Sequence, residues 1–232
     1  MRIKHIYLAL IAILLFSCGN GGGAKDGRIF GMGDDYLAVV VFNRVKIYDA
    51  DNNWKELKKY EFTLPKGFKS VFGFGECLAV VVDTKVKFFD IDDDWDELTE
   101  NEFTLPKGYR SVFGIGDECL AVEIGGKVKF YDANDDWDEI TDYEFTLPKG
   151  YRSVFGFGDE CLAVVVGDKV KFYDADDDWE ELTDYEFTLP KGYNSVFGFG
   201  DECLAVEIGG KVKFYNADDD WDELTKYEFT IK

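Results

Sequence analysis

The sequence predicts an all-β chain folded as a five-bladed β-propeller with four antiparallel strands per blade, and three observations carry that expectation. A segment of about 42 residues is written five times, and its tryptophans, Trp54, Trp95, Trp137, Trp179 and Trp221, stand 41, 42, 42 and 42 residues apart. A fixed period of that size marks a repeat architecture. Each copy holds four short runs with the alternation and the β-branched and aromatic content of strands, and four strands in that length is one propeller blade. The copies are also close: Tyr109 to Gly150 differs from Tyr151 to Gly192 at seven of 42 positions.

The N-terminus reads as an address and not as part of the ring. Arg2 and Lys4 open the chain, and Ile6 to Phe16 form an eleven-residue apolar run that ends at Leu15-Phe16-Ser17-Cys18. Eleven residues are too few to cross a bilayer as a helix, whereas a positive start and a short apolar run have the form of an export signal. The ending resembles the lipobox of bacterial lipoproteins, in which the signal is cut before the cysteine and the cysteine carries the lipid. That resemblance implies a signal peptide over residues 1–17, a lipidated, palmitate-bearing Cys18 as the first mature residue, and a tether over 18–26. Gly19 to Ala24 (GNGGGA) is flexible by composition. Gly19 stands where aspartate holds lipoproteins in the inner membrane, so the resemblance places the anchor in the outer membrane of a bacterial cell envelope. An ordinary secretory signal with a chance cysteine is the alternative.

Charge and composition narrow the classes further. The 47 Asp and Glu outnumber the 26 Lys and Arg, giving a formal charge of -21, and removal of residues 1–17 leaves 24 basic residues and a charge of about -23. Such a chain repels phosphate backbones and anionic head groups, so no nucleic-acid partner is expected, and the lipid is the expected membrane contact. The single histidine, His5, leaves with the signal. Without it the mature chain has no Ser-His-Asp or Cys-His nucleophile and no His-containing zinc site, which excludes large classes of enzyme; no enzyme activity is expected, and a glycosidase working through asymmetric carboxylates near the axis is the third and lesser alternative. Hydrophobic residues make up 46% and aromatics 17%, enough to bury a core in one domain over 27–232.

Within that domain the blades fall at about 27–65, 66–106, 107–148, 149–190 and 191–232. In the third copy the expected strands are Arg110 to Gly114, Cys119 to Ile124, Lys127 to Tyr131 and Tyr143 to Leu147. The breaks carry turn chemistry: Gly-Asp-Glu at 116–118, Gly125-Gly126, an acidic loop from Asp132 to Asp136, and Leu147-Pro148-Lys149-Gly150. Glycines in first strands, such as Val154-Phe155-Gly156-Phe157-Gly158, suit the crowded axis. Second strands are apolar on both faces, as a strand between neighbouring blades must be. Fourth strands alternate Tyr143, Phe145 and Leu147 with Glu144 and Thr146, which reads as outer and half-exposed. Five whole repeats leave nothing over, so closure comes from packing the fifth blade on the first; an open solenoid would need polar terminal caps that the end repeats lack.

Strands of type YRSVFGFGDE and CLAVEI, a GGKVKFYD arm and an Asp-rich loop ending in Asp-Asp-Trp together resemble the repeat of the tachylectin family, five-bladed propeller lectins, over Gly27 to Lys232. The repeats here are shorter and more acidic. The resemblance implies one sugar site per blade with preference for N-acetylated amino sugars, and it maps the family's Asp-Asn-Trp onto Asn53-Trp54, Asp94-Trp95, Asp136-Trp137, Asp178-Trp179 and Asp220-Trp221.

The same residues point that way by their chemistry. An indole beside carboxylates offers a stacking face and hydrogen-bond acceptors for hydroxyls; the plainer reading has the indole pin its loop against the next blade. Asp90, Asp92 and Asp94, and likewise Asp174, Asp176 and Asp178, alternate as calcium-loop ligands do, although tryptophan stands where such a loop needs glycine, and a solvated acidic turn accounts for them equally. Cys77, Cys119, Cys161 and Cys203 recur at one position, too far apart around a ring for disulfides or a zinc site, and read as small packing groups. Glu123 and Glu207 replace a valine and are expected at strand ends facing water, with ligand contacts in alternate blades as the other reading. Lys127 and Lys129 neutralise neighbouring carboxylates, in surface pairs that contribute little. The function expected is a monomeric, multivalent module binding a glycan, or a protein ligand, at the cell envelope.

Overall fold

A computed structural model describes residues 28–33 and 35–231; the expected signal peptide, Cys18 and the tether lie outside the described residues. The third repeat shows how a blade is built. Tyr109–Ile115, Cys119–Ile124 and Lys127–Asp132 pair antiparallel, with Phe113 opposite Ala121 and Ala121 opposite Phe130. This large-small-large row recurs as Phe72, Ala79 and Phe88, and as Phe155, Ala163 and Phe172. The alanine leaves room for two phenylalanine rings on one face of the sheet, and all three side chains are buried. The second strand is buried on both faces, as Leu120, Ala121 and Val122 are fully covered.

The outer edge differs from the expected single strand. Two short pieces, Asp138–Glu139 and Phe145–Thr146, both pair with the third strand, and a 3-10 turn at Thr141–Tyr143 lies between them. The register explains the break. Glu139 pairs with Tyr131 and Phe145 with Val128, so residues 140–144 face only Lys129 and Phe130, and the surplus coils outward. The backbone stays bonded through Ile140 N–H to the Phe130 carbonyl (2.8 Å). Tyr143, expected on the strand's buried face, is lifted into solvent by that turn, 40% exposed. In the second blade the first of the two pieces shrinks to one bridge, Phe89 to Glu97.

Five such sheets, spanning 28–63, 68–104, 109–146, 151–188 and 193–230, stand side by side around an axis lined by their first strands. At the axis the glycines are needed because backbones touch. A Cβ on Gly114 would lie 3.3 Å from the Gly73 carbonyl oxygen, and one on Gly31 3.2 Å from that of Gly198. The Gly31 contact joins the first blade to the fifth. That seam is made like the others, since Trp54 Nε1 donates to the Tyr227 carbonyl (2.8 Å) and its ring stacks on Phe214. The ring is therefore closed by packing, with no strand shared between blades, and the solenoid alternative falls away.

Glu123 departs from its expected place in water. It is 4% exposed and accepts hydrogen bonds from Ser111 Oγ (2.8 Å), Arg110 (3.0 Å) and the Tyr151 hydroxyl of the next blade. Its place on a strand buried between blades forces this, and the three donors compensate the burial. Glu207 is half-buried, with Ser195 and Asn194 as donors. Among the described residues no helix is long and apolar enough to cross a membrane.

Candidate functional site

One face of the ring, here the loop face, carries the first-hairpin turns and the loops that precede the tryptophans. The two are tied by backbone: Ala133 N–H donates to the Glu118 carbonyl, Ala175 to Glu160 and Ala217 to Glu202, at 2.8 to 2.9 Å. Within the loop, Asp132 Oδ1 accepts the Asn134 N–H (2.8 Å) and the Asp132 carbonyl accepts the Trp137 N–H (2.9 Å). Asp136 and Trp137 then both take left-handed backbone, with φ of 47° and 62°. Every copy repeats this pair, from Asn53 and Trp54 to Asp220 and Trp221. Asp and Asn tolerate that conformation and a bulky residue does not, so each tryptophan holds a strained backbone costing about 1–2 kcal/mol.

Docking of the indole offsets that strain. Trp137 stacks on Phe88 of the preceding blade at 5.3 Å and 11°, and its Nε1 donates to the Asn101 carbonyl (3.0 Å). Trp179 does the same with Phe130 and Tyr143, and Trp221 with Phe172 and Tyr185. Trp95 is the exception. The position of Phe88 is held in the first blade by Ile47, and Trp95 Nε1 is buried without a partner. The indoles thus bridge blades, yet each is only half-buried.

What remains exposed opens into a cleft between blades. The cleft between blades three and four has a volume of about 430 Å³ and is floored by Ile115, Cys119, Phe130 and Trp179. Its rim carries Asp117, Glu118, Asp132, Asp159, Glu160 and Asp176, with Tyr143 at the outer edge. A similar cleft of about 410 Å³ lies between blades two and three, with Trp137, Phe74, Phe88, Glu76, Asp117 and Asn134 among its lining. Among the described residues the hairpin turns and loops of this face, residues 33, 35 and 50–54 and their repeats, carry acidic charge and no basic charge.

Of the site residues expected from sequence, the tryptophans of these two joints line the clefts. Asp136 and Asp178, next to them in sequence, do not; they are exposed on the loop, as are Asn53, Asp94 and Asp220. Asn134 and Asp176, three residues before the indole, reach the cleft instead. The Gly-Asp-Glu turns were legible as turns but not as a rim, because the rim forms only where the turns of two adjoining blades meet. Asp90 and Asp174, offered as calcium ligands with Asp92, Asp94, Asp176 and Asp178, accept the N–H groups of Asp92 and Asp176 through Oδ1. Among the described residues no three His, Cys, Asp or Glu side chains converge as ligands of a metal ion.

Crowding of carboxylates sets the electrostatics. Burial, then Asp176, raises the Glu160 carboxyl above its ordinary value, and burial with a hydrogen bond to Asp218 raises Glu202. A raised carboxyl contributes stability that is full below its unfolded value near 4.5 and is lost as pH rises through the folded value. On the outer rim the sign is opposite, since Lys127 holds Glu144 below its ordinary value, a contribution kept above 4.5 and lost in acid. The melting temperature is therefore expected to be higher at about pH 5 than at about pH 8 in low salt, with the difference narrowing in salt and in Asp176→Asn. Thermal scans at the two pH values measure it. The four cysteines are free and half-buried, and burial pushes Cys77, Cys119 and Cys161 up to about 12 and Cys203 to about 11. They remain thiols at neutral pH, unsuited to nucleophilic attack.

No protein-family model matches the chain, and no curated protein matches it in sequence. Solved structures of similar shape include Hsv2 of Kluyveromyces lactis, 13% identical over 79% of this chain and 71% of that one, with a TM-score of 0.47. The WD40 domain of SCAP from fission yeast is 13% identical over 88% of this chain and 55% of its own length (TM-score 0.45). A streptogramin B lyase is 14% identical over 87% and 67% (TM-score 0.44). These likenesses concern architecture alone and carry nothing about ligand or chemistry.

Proposed function

We propose that this propeller is a multivalent carbohydrate-binding module with one site in each cleft between blades, and that it prefers amino sugars whose nitrogen carries charge. The observation that carries the reading is the cleft between blades three and four, where the free part of the Trp179 indole meets a rim of six carboxylates. An aromatic surface for the sugar ring, acceptors for hydroxyls and a strongly negative field for an ammonium are what that ligand class requires. A volume of about 430 Å³ lies within the range of small-ligand pockets. The tachylectin resemblance supports the one-site-per-blade arrangement, while the acidity of the rim shifts the preference from neutral N-acetylated sugars toward free amines. Near-identical repeats build equal weak sites, which gain by avidity on a surface with many ligand copies. Recurrence of most loop-face carboxylates from blade to blade suits binding and not catalysis, which uses one asymmetric centre.

The lipoprotein-type ending at Cys18 supports an outer-membrane anchor at the bacterial envelope, presenting the ring as a monomer. A basic protein partner is the second reading, favoured by acidic charge over the whole loop face. A glycan array probed with residues 25–232, with calcium and with chelator, tests both. Binding to glucosamine-type oligomers above their N-acetylated forms is expected; a blank array from folded protein would overturn the carbohydrate reading and leave the basic partner. Loss in chelator would add calcium as a ligand of the acidic loops.

A further inference from the structure

The face opposite the clefts holds the turns between second and third strands together with the Pro-Lys-Gly turns between blades. Four of the former begin with Asp83, Gly125, Gly167 and Gly209, all at positive φ, where glycine and aspartate are the residues that fit. The first blade places Phe42 there instead, at φ 58°, and leaves it 90% exposed. A phenylalanine that strains its backbone and buries nothing does no work in the fold. Its surroundings carry basic side chains that the loop face lacks, with Asp83 and Asp168 as acidic members of the same set of turns. The Asn43 carbonyl accepts the Leu64 N–H (2.8 Å), which sets Phe42 beside the turn carrying Lys66, and Lys107, Lys149, Arg152 and Lys191 are exposed on the same face. Arg28, the first described residue, pairs with Val40, so the chain preceding it joins the ring at this same edge.

We propose that Phe42 inserts into the interface of an anionic phospholipid bilayer, docking the ring with its basic face toward the membrane and its clefts away from it. This rests on the reading of Cys18 as the lipidated residue. Arg28 lies ten steps along the chain from Cys18, a reach of at most about 35 Å at full extension, so the edge bearing Phe42 is kept near the bilayer. A lipid chain backed by an aromatic wedge and basic residues combines two membrane signals, each weak alone.

The test uses the lipidated mature chain and a Cys18→Ser counterpart with vesicles of phosphatidylethanolamine and phosphatidylglycerol, some with brominated acyl chains. In the Phe42→Trp variant the emission added to that of the five native tryptophans is expected to be blue-shifted and quenched by bromine. Phe42→Gly is expected to keep or raise the melting temperature, because the strain is relieved, while binding of the Cys18→Ser chain to these vesicles falls several-fold. If the lipidated chain floats with vesicles but the added emission is unquenched and water-like, the wedge is refuted and the anchor stands. If the lipidated chain fails to float, both are refuted. Equal binding by Phe42→Gly and the parent would also overturn the wedge.

Discussion

Gly156→Ala is expected to be the most damaging single substitution in the ring. The new Cβ would come closer than 3.0 Å to the Gly114 carbonyl oxygen and would also press on Ile115. Both belong to the first strand of the preceding blade, so relief requires two blades to part at the axis, where five first strands already crowd. A loss of about 4 kcal/mol or more is expected, enough to leave the chain largely unfolded at ordinary temperature or to open the ring. Gly31→Ala, whose Cβ meets the Gly198 oxygen at 3.2 Å, needs a shift of only a few tenths of an ångström and is expected to cost less. Chemical denaturation of the two variants measures the difference. Equal stability of Gly156→Ala and the parent would mean that the blades stand further apart than described.

The second large effect is expected at the indoles. Trp137→Ala removes a ring stacked on Phe88 and packed against Phe74 and Phe103, together with the bond to the Asn101 carbonyl. A cost of about 3 kcal/mol is expected, which in a domain of this size lowers the melting temperature by roughly 6–12 °C. Trp137→Phe keeps most of the stack and gives up the hydrogen bond, at about 1 kcal/mol. Trp95→Phe is expected to cost less again, because Trp95 Nε1 has no partner to lose. Thermal unfolding ranks the three. The phenylalanine variants also separate the two roles of the ring, since they retain the interblade joint while changing the surface offered to a ligand.

The architecture was legible because it depends on local signals written five times. Alternation in Lys127–Asp132, apolar runs such as Cys119–Ile124 and glycines in first strands place three strands of every blade and the order from axis to rim. The fourth strand was not legible as two pieces, since the five surplus residues between Glu139 and Phe145 emerge only from a register against the third strand. Burial of Glu123 was hidden for a related reason, as one of its donors, the Tyr151 hydroxyl, comes from another blade. The candidate site was half legible. The tryptophans announced themselves by period, but the rim of each cleft is shared between two repeats, so Asp117 and Asp159 join one cleft from positions 42 residues apart in sequence. Asp136 and its equivalents are singled out in the sequence by adjacency to tryptophan; in the fold they take left-handed backbone and are exposed on the loop.

The most direct test of the account is the number of ligand equivalents bound per ring, read by titration calorimetry of residues 25–232 with short glucosamine oligomers. Several equivalent weak sites approaching five are expected, with binding at the joint between blades three and four lost in the paired Glu118→Gln and Glu160→Gln variant while the fold is kept. A single equivalent per ring, or binding unchanged by that variant, would contradict the account.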